Sequence, residues 1–279
     1  MVKNIIVVSD THSGCGLALM PKKVRLDDGA IVYPSRIQKK LNYMWEYFWG
    51  EWVPEVTKEE PFILVHNGDA IDGVHHNSKT QISQNLTIQK NIALELLSPI
   101  TSSKLCKVYY HIRGTEAHVG KSAEDEEDLA KQLGAKPNED GQYARYDLWL
   151  AFGQKNNMLA HFTHHVGTTN SAAYESTAIY KEMVEAYNEA GRWGDRAPDV
   201  VIRSHRHRQF ETRIATKHGY GISLCTPAWQ VKTPFVWKQG LGRSSTPQIG
   251  GYLIRSGDED NAYTRFWVKR IERSKLEIA

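Results

Sequence analysis

Cysteine is scarce in this sequence, and no two cysteines have the spacing of a redox or metal-binding pair. The 279 residues contain Cys15, Cys106 and Cys225, too few and too dispersed for a disulfide framework or a zinc ribbon. No apolar run reaches the length of about 18 residues that a membrane span needs, and the first residues lack the apolar core and cleavage site of a signal peptide. These absences predict a cytoplasmic protein without a membrane partner.

The overall balance of residues is that of a folded, water-soluble chain. Hydrophobic residues make up 41% and charged residues 24%, which excludes a disordered or collagen-like protein. The formal net charge of +3 permits a polyanionic partner without requiring one. Nothing in the sequence identifies a protein partner.

Histidine is the residue that this sequence has in excess. Twelve are present, and most of them lie in short clusters. Histidine is the commonest transition-metal ligand and titrates near neutral pH. Clustered histidines with few cysteines therefore favour a metal-assisted hydrolytic site over a structural zinc site.

Short apolar runs alternate with helical patterns along the chain. Buried strands are predicted over residues 3–8, 62–66, 108–112, 148–152, 158–163 and 200–204. Helical spacing of apolar residues predicts helices over residues 35–49, 81–97, 124–133 and 172–190. The second helix should stop before Pro99, and the third should begin with its acidic run. We expect an α/β protein with two mixed β-sheets packed as a sandwich and flanked by helices.

No internal repeat, low-complexity segment or linker divides the chain. We therefore expect one domain over residues 1–279. Residues 14–60 separate the first two strands and carry a dense aromatic stretch from Tyr43 to Trp52, which we interpret as a helical insertion. At helical spacing these aromatics are expected to pack against the domain, and stacking on nucleic-acid bases is the alternative.

Ionisable side chains gather where predicted strands end. Five such groups follow five strands: Asp10 with His12, Asp69 with Asp72, Glu116 with His118, His164 with His165, and His205 with His207. Ligands of open α/β sheets bind outside the carboxyl ends of strands, so these groups should meet at one rim. Because buried charges are costly when unpaired, we expect divalent cations to turn the group into a set of ligands.

The order of these motifs resembles the calcineurin-like metallophosphoesterase superfamily. The matching segments are SDTH at 9–12, NGDAID at 67–72, RGTEAH at 113–118, THH at 163–165 and SHRH at 204–207. Within the superfamily, the GTEAH segment is similar to phosphoesterases of phages and related mobile elements. The resemblance implies a two-sheet sandwich with a binuclear metal centre.

The resemblance also implies a set of ligands for two divalent cations. These are Asp10, His12 and His207 for the first cation, Asp69 as the bridge between both, and His164 and His205 for the second. Manganese is the expected metal, with iron, zinc and nickel as alternatives.

The third motif departs from the family pattern. The family has an Asn there that binds the second metal, followed by a His that protonates the leaving group. In this sequence Thr115 stands at the Asn position, and the histidine comes later, at His118. Glu116 or Thr115 could supply the missing oxygen, or water could take its place. The last motif has Ser204 where Gly is usual, which leaves the spacing of the two histidines unchanged.

Several neighbouring residues keep open roles. Asp72 could orient a ligand histidine through a hydrogen bond or cap its loop. His165 could replace His164 as a ligand, or lie beside the ligands and face the substrate. His75 and His76 are expected to be exposed in the loop after Asp72.

The spacing of the motifs agrees with this chemistry. Residues i and i+2 of an extended segment point the same way, so both members of D-x-H and of H-x-H can reach the rim. A bridging carboxylate such as Asp69 can hold two cations about 3.5–4 Å apart, which generate hydroxide from water near neutral pH for in-line attack on phosphorus. We expect Arg113 to neutralise charge on the phosphate oxygens and His118 to protonate the departing oxygen.

These observations predict a binuclear metal-dependent phosphoesterase, a hydrolase of phosphate esters. A basic run surrounds the last motif: Arg203, Arg206, Arg208 and Arg213. It is also typical of a solvated strand face, but with the phage-like motif it favours a phosphodiester or nucleic-acid substrate. A phosphoprotein is disfavoured, since Gly73-Val74 stands where protein phosphatases have Arg-Gly. The alternative function is a non-catalytic metal- and phosphate-binding module that recognises nucleic acid.

Overall fold

Strands and helices alternate over most of the chain. The computed structural model describes residues 2–75, 78–120, 123–154, 157–167, 172–217, 219–239, 247–257 and 261–271. Numbered along the chain, the strands are β1 (Asn4–Val8), β2 (Val24–Arg25), β3 (Ile31–Val32), β4 (Phe62–Asn67), β5 (Cys106–Ile112), β6 (Ala144–Arg145), β7 (Asp147–Phe152), β8 (Met158–Thr163), β9 (Val200–Arg203), β10 (Phe210–Thr216), β11 (Gly219–Cys225), β12 (Gln248–Ser256) and β13 (Ala262–Arg270).

The helices connect these strands. They are α1 (Arg36–Tyr47), α2 (Val53–Thr57), α3 (Leu86–Thr101), α4 (Glu116–Val119), α5 (Glu124–Gln132), α6 (Glu175–Trp193) and α7 (Pro234–Gln239). A π-helical turn over Phe48–Trp52 joins α1 to α2. Within the described ranges, no helix combines the length with the apolar surface that crossing a membrane requires.

Two large sheets, both of mixed direction, form the frame of the molecule. The first has the strand order β13-β12-β1-β4-β5-β6, and the second has the order β10-β11-β9-β8-β7. In the first sheet β1, β4, β5 and β6 run parallel. Strand β12 pairs antiparallel with β1, and β13 pairs antiparallel with β12. In the second, β9 pairs in parallel with β8 and β11. The expected α/β architecture with two mixed sheets is thus confirmed.

The core has two layers, one on each face of the first sheet. One face of the central strands packs against the second sheet, through residues such as Ile5, Val7, Phe162, Ile202 and Tyr252. The opposite face packs against α1, α3 and α5. Strands buried on both faces read as continuous apolar runs, which is why β1 and β4 stand out in the sequence. Each fully buried side chain of this kind contributes about 1.5–3 kcal/mol, so the layers hold the strand ends firmly.

Helix α3 differs from its predicted bounds. It begins after Asn85, whose side chain accepts a hydrogen bond from the Thr87 N–H at 2.8 Å, because a capped start outweighs the apolar spacing upstream. It also continues through Pro99 to Thr101. Pro99 lies in the last turn, where the loss of one backbone hydrogen bond affects few following residues.

The segment over residues 14–60 contains the β2–β3 ribbon, α1 and α2. A capping box between Ser35 and Gln38 starts α1. Its buried face carries Trp45, whose ring meets Trp229 edge to face with centroids 4.7 Å apart. Most of the aromatic stretch thus packs against the domain. That the segment is an insertion within a single domain stays a prediction.

Candidate metal centre

The carboxyl ends of β1 and β4 lie side by side and bring their loops together. Asp10 follows β1 and Asp69 follows β4. The Asp10 N–H donates to the Gly68 carbonyl at 2.9 Å, and the His12 N–H donates to the Asp69 carbonyl at 3.0 Å. The backbone itself therefore joins the first motif to the second.

The second sheet supplies three histidines to the same rim. His164 follows β8, and His205 and His207 follow β9. The Ser204 N–H donates to the His164 carbonyl at 2.9 Å. Asn67 joins the two sheets, because its side-chain NH₂ donates to the Ser204 hydroxyl at 2.7 Å.

The backbone at five of these residues is left-handed. Their φ angles are 51° at Asp10, 41° at His12, 52° at Asp69, 69° at His205 and 52° at His207. The expectation that D-x-H and H-x-H are extended is therefore wrong, because a left-handed turn directs their side chains to the rim. Asp and His tolerate this region better than most residues, yet each departure costs on the order of 1 kcal/mol or more.

A first cluster of ligand atoms comprises Asp10, His12 and His207. The His207 Nε2 atom lies 3.2 Å from Asp10 Oδ1 and 3.1 Å from His12 Nε2. Asp72 faces the other side of the His12 ring, with its Oδ1 atom 3.5 Å from Nδ1. A carboxylate beside one imidazole nitrogen can orient the other nitrogen toward a metal, and this position of Asp72 is compatible with the orienting role.

A second cluster adjoins the first and comprises Asp69, His164 and His205. The Asp69 Oδ2 atom lies 3.1 Å from His164 Nε2 and 4.0 Å from His205 Nδ1. The Nδ1 atom of His164 lies 2.7 Å from the carbonyl oxygen of Asn67; Nδ1–H therefore donates, and Nε2 faces the carboxylates. The same Nε2 atom lies 3.9 Å from Asp10 Oδ1, which links the clusters.

The residues of the two clusters fit a bound divalent metal. Asp10 and Asp69 are fully buried. Asp10 Oδ1, Asp69 Oδ2 and His164 Nε2 are buried atoms without a hydrogen-bond partner in the described part of the chain. An unsatisfied buried polar atom costs about 1–3 kcal/mol, and more when it is charged. Imidazole nitrogens with carboxylate oxygens suit transition-metal ions such as manganese, iron or zinc.

The charges of the site are strongly coupled. Burial alone would raise the pKa of Asp10 and of Asp69, but the adjoining imidazoles, His207 for Asp10 and His164 for Asp69, lower both well below their usual range. Burial opposes protonation of His164, yet the charges of Asp69 and Asp10 raise its pKa to about 10. Without a metal, a proton on His164 offsets part of the negative charge of the two carboxylates.

Thr115 contacts the Asp69 carboxylate, whereas Glu116 is not brought to the site. The N–H and hydroxyl groups of Thr115 donate to Asp69 Oδ1 at 2.7 Å and 3.3 Å. Glu116 lies in the first turn of α4 with its side chain exposed. A Cβ atom at Gly114 would overlap the Asp69 carboxylate, so glycine is needed there. The candidate ligand role of Glu116 is therefore not supported.

Arg113 is engaged away from the expected phosphate position. Its Nε–H donates to the carbonyl of Ala144 at 2.8 Å. Its guanidinium lies 3.5 Å from Glu127 and 4.8 Å from the centre of the Tyr146 ring. These contacts tie the end of β5 to β6 and α5, and the expected role of Arg113 on phosphate oxygens is not supported.

The two adjacent histidines after β8 differ in environment. His164 is buried, while the side chain of His165 is exposed, with its ring centroid 4.9 Å from that of His205. The geometry thus favours His164 as the ligand and a flanking position for His165. His75 was expected to be exposed, but its side chain is only 10% exposed, and its Nε2 atom lies 3.7 Å from Asp72 Oδ1. His76 lies outside the described residues.

The basic run around the last motif is largely neutralised. Three of its arginines each pair with a glutamate at 2.9 Å: Arg203 with Glu182, Arg208 with Glu175, and Arg213 with Glu211. These pairs do not support a phosphate-binding surface. Arg203 is buried, so the alternative of a solvated strand face does not hold for it either.

Glu126 is a buried site residue that sequence reasoning missed. Its Oε2 atom accepts from the Gly114 N–H at 2.8 Å, and its Oε1 atom accepts from the Ala70 N–H at 3.3 Å. Oε1 also lies 3.4 Å from Nε2 of the buried His111. One carboxylate thus holds both the loop that carries Asp69 and the loop of the third motif. The sequence contains one indication of this burial. Glu126 precedes Leu129 by about one helical turn and so lies on the same buried face of α5.

Binding of a divalent cation should release about one proton per chain at pH 7, because a metal and a proton compete for the His164 Nε2 lone pair. The metal affinity should rise with pH for the same reason. Titration calorimetry with Mn²⁺ in two buffers of different ionisation enthalpy measures the release. It should disappear in His164→Ala and persist in the control His165→Ala. Equal heats in both buffers would contradict the prediction.

Glu126→Gln should lower the free energy of unfolding by about 1–3 kcal/mol, because an NH₂ group then meets a backbone N–H. It should also weaken metal binding, since two loops lose their common acceptor. Urea unfolding and metal titration measure the two effects. The control Glu124→Gln removes an exposed charge from the same helix and should cost less than about 1 kcal/mol. Equal losses in both variants would rule out a specific role for Glu126.

Comparisons with known proteins find likeness only among solved structures. No family model and no curated protein matches the sequence. Chaetomium thermophilum Vps29 is 9% identical, with 96% of this chain and 99% of that chain covered and a TM-score of 0.42. A hypothetical protein from Thermus thermophilus is 10% identical, with 96% and 99% covered and a TM-score of 0.43. The Thermus thermophilus sulfate thiohydrolase SoxB is 8% identical, with 96% and 56% covered and a TM-score of 0.42. The family resemblance accordingly rests on the motifs and on the geometry of the site.

Proposed function

We propose that the chain is a metal-dependent phosphoesterase with a binuclear centre. The observation that carries this proposal is the contact between two ligand clusters, one of Asp10, His12 and His207 and the other of Asp69, His164 and His205. Buried acceptors without partners occur in both clusters. When bound, two divalent cations would lower the pKa of the attacking water and neutralise charge on the phosphate oxygens.

Asp69 is suited to bridge the clusters. Its Oδ1 atom accepts from Thr115, and its Oδ2 atom faces His164. Thr115 thereby holds the carboxylate in one orientation, and Gly114 leaves room for it. The loop that in the family supplies an Asn ligand here supplies hydrogen bonds to Asp69. A fixed orientation matters, because catalytic geometry is sensitive to displacements of about 1 Å.

His118 is the proposed proton donor to the leaving oxygen. Its Nδ1–H donates to the carbonyl of Asp72 at 2.6 Å, which fixes the ring. Its Nε2 atom lies 3.8 Å from Asp69 Oδ2, and the side chain is 15% exposed. When the ring is protonated, its Nε2–H faces the second cluster. A donor of this kind contributes about 10²–10⁴-fold to the rate.

Asp72 positions both His12 and His118. Its carboxylate faces His12 and accepts from the side-chain amides of Gln81 at 2.8 Å and Gln230 at 3.1 Å. Its carbonyl accepts from His118. One residue thus orients a proposed metal ligand and the proposed acid, so the two rings keep a fixed relation.

A phosphodiester is the proposed class of substrate. A monoester carries one more negative charge than a diester, and enzymes that bind it gain from a cation directed at that charge. Arg113, Arg203 and Arg208 are each beside a glutamate instead. A diester carries a single negative charge and therefore needs fewer cationic side chains around the two clusters.

With Mn²⁺ supplied, the purified protein should hydrolyse bis-nitrophenyl phosphate, and a chelator should abolish the activity. Asp69→Asn should lower kcat/KM by more than about 100-fold, because it weakens the shared ligand. Elemental analysis should find two ions per chain in the wild type and fewer in the variant. Asp140→Asn, in an exposed turn, is the control. Activity that is indifferent to chelation would refute the proposal, and bound metal without turnover of any ester would favour the non-catalytic module.

The effect of His118→Ala should depend on the leaving group. Hydrolysis of a dinucleotide releases a nucleoside as a poorly stabilised alkoxide that needs a proton, so its turnover should fall by about 10²–10⁴-fold. Hydrolysis of a nitrophenyl ester releases the stable nitrophenolate, so its turnover should fall by less than about 10-fold. Steady-state rates on both substrates, with metal content measured in parallel, test this. Equal losses together with loss of metal would identify His118 as a ligand.

A further inference from the structure

A basic groove lies along the exposed face of α1, on the side opposite Trp45. It has a volume of about 610 Å³ and lies between α1 and the end of β13. Its lining comprises Arg36, Lys39, Lys40, Tyr43, Met44, Arg270 and Ile271. The groove shares no residue with the two ligand clusters.

The described lining of this groove carries positive charge. Arg36, Lys39 and Arg270 contribute it, and none of the described lining residues is a carboxylate. The arginines around the last motif differ, since three of them lie beside glutamates. Arg36, Lys39 and Tyr43 follow one another at helical spacing, and the row from Arg36 to Tyr43 extends about 10 Å. This length reaches more than one phosphate of a nucleic-acid strand.

An exposed aromatic ring accompanies these cations. Tyr43 is 70% exposed, although it lies in a stretch whose other aromatics are mostly buried. Tyr47, one turn further along α1, stacks on Trp267 of β13 with ring centroids 5.9 Å apart. Cations that follow the backbone, combined with rings that stack on bases, are typical of surfaces that bind unpaired strands. A duplex offers no free base faces to such a ring.

We propose that the groove between α1 and β13 binds single-stranded nucleic acid. The cations contact successive phosphates, and Tyr43 stacks on a base. Binding does not require turnover at the metal centre, because the groove and the ligand clusters have no residue in common. In a phosphodiesterase, the groove would be a second binding site for a long substrate.

The test measures binding of a fluorescent oligothymidylate of about 20 nucleotides by anisotropy, with EDTA present so that hydrolysis plays no part. The triple variant Arg36→Gln, Lys39→Gln, Arg270→Gln should bind at least about 10-fold more weakly and with a shallower dependence on salt. The matched control Lys107→Gln, Lys136→Gln, Lys181→Gln removes the same charge from exposed positions elsewhere and should retain most of the affinity. Circular dichroism verifies that both variants are folded.

A second pair of variants tests the aromatic contact. Tyr43→Ala should weaken binding about 5-fold or more, whereas Tyr43→Phe, which keeps the ring, should bind like the wild type. Equal weakening by both triple variants would overturn the proposal, since the net charge alone would then explain binding. Tighter binding of a duplex, or equal displacement of the oligonucleotide by polyglutamate or by phosphatidylserine vesicles, would also overturn it. Hydrolysis of small diesters is measured separately, so either result can fail alone.

Discussion

Two fully buried carboxylates, Asp10 and Asp69, end adjacent parallel strands, and their mutual repulsion must be offset by positive charge. Without a metal, positive charge comes from His164, because Asp69 and Asp10 raise its pKa to about 10. The remainder of the site follows from this constraint. Histidines from the second sheet must reach across the sandwich, and their free nitrogens must face the carboxylates. A pair of cations in the same place would satisfy every one of these groups.

Hydrogen bonds from neighbouring elements hold the loops of this charged cluster in place. Glu126 accepts from the loops of the second and third motifs, and Asn67 joins the two sheets beneath the site. The Trp229 N–H donates to the Asp10 carbonyl at 3.0 Å, and the ring of Trp229 packs on Trp45 of α1. The helix that carries the basic groove is therefore in packing contact with the residue that supports a proposed ligand.

Much of the fold could be predicted from the sequence, because buried parallel strands have unbroken apolar runs and place polar residues at one rim. The direction of individual side chains could not be predicted in this way. Arg113 and Glu116 belong to the third motif, yet one turns to Glu127 and the other to solvent. Glu126 was one acid among several in a helix start, and only its spacing to Leu129 set it apart. Motif order reports which strand end a residue follows, whereas long-range partners decide where its side chain points.

The left-handed backbone of Asp10, His12, Asp69, His205 and His207 has a consequence for engineering. Glycine adopts such angles without strain, so a glycine at one of these positions would relieve local backbone strain. The same replacement would delete a side chain from the charged cluster and, at the buried positions, leave a cavity. Backbone strain is therefore the cost of placing these side chains at one rim.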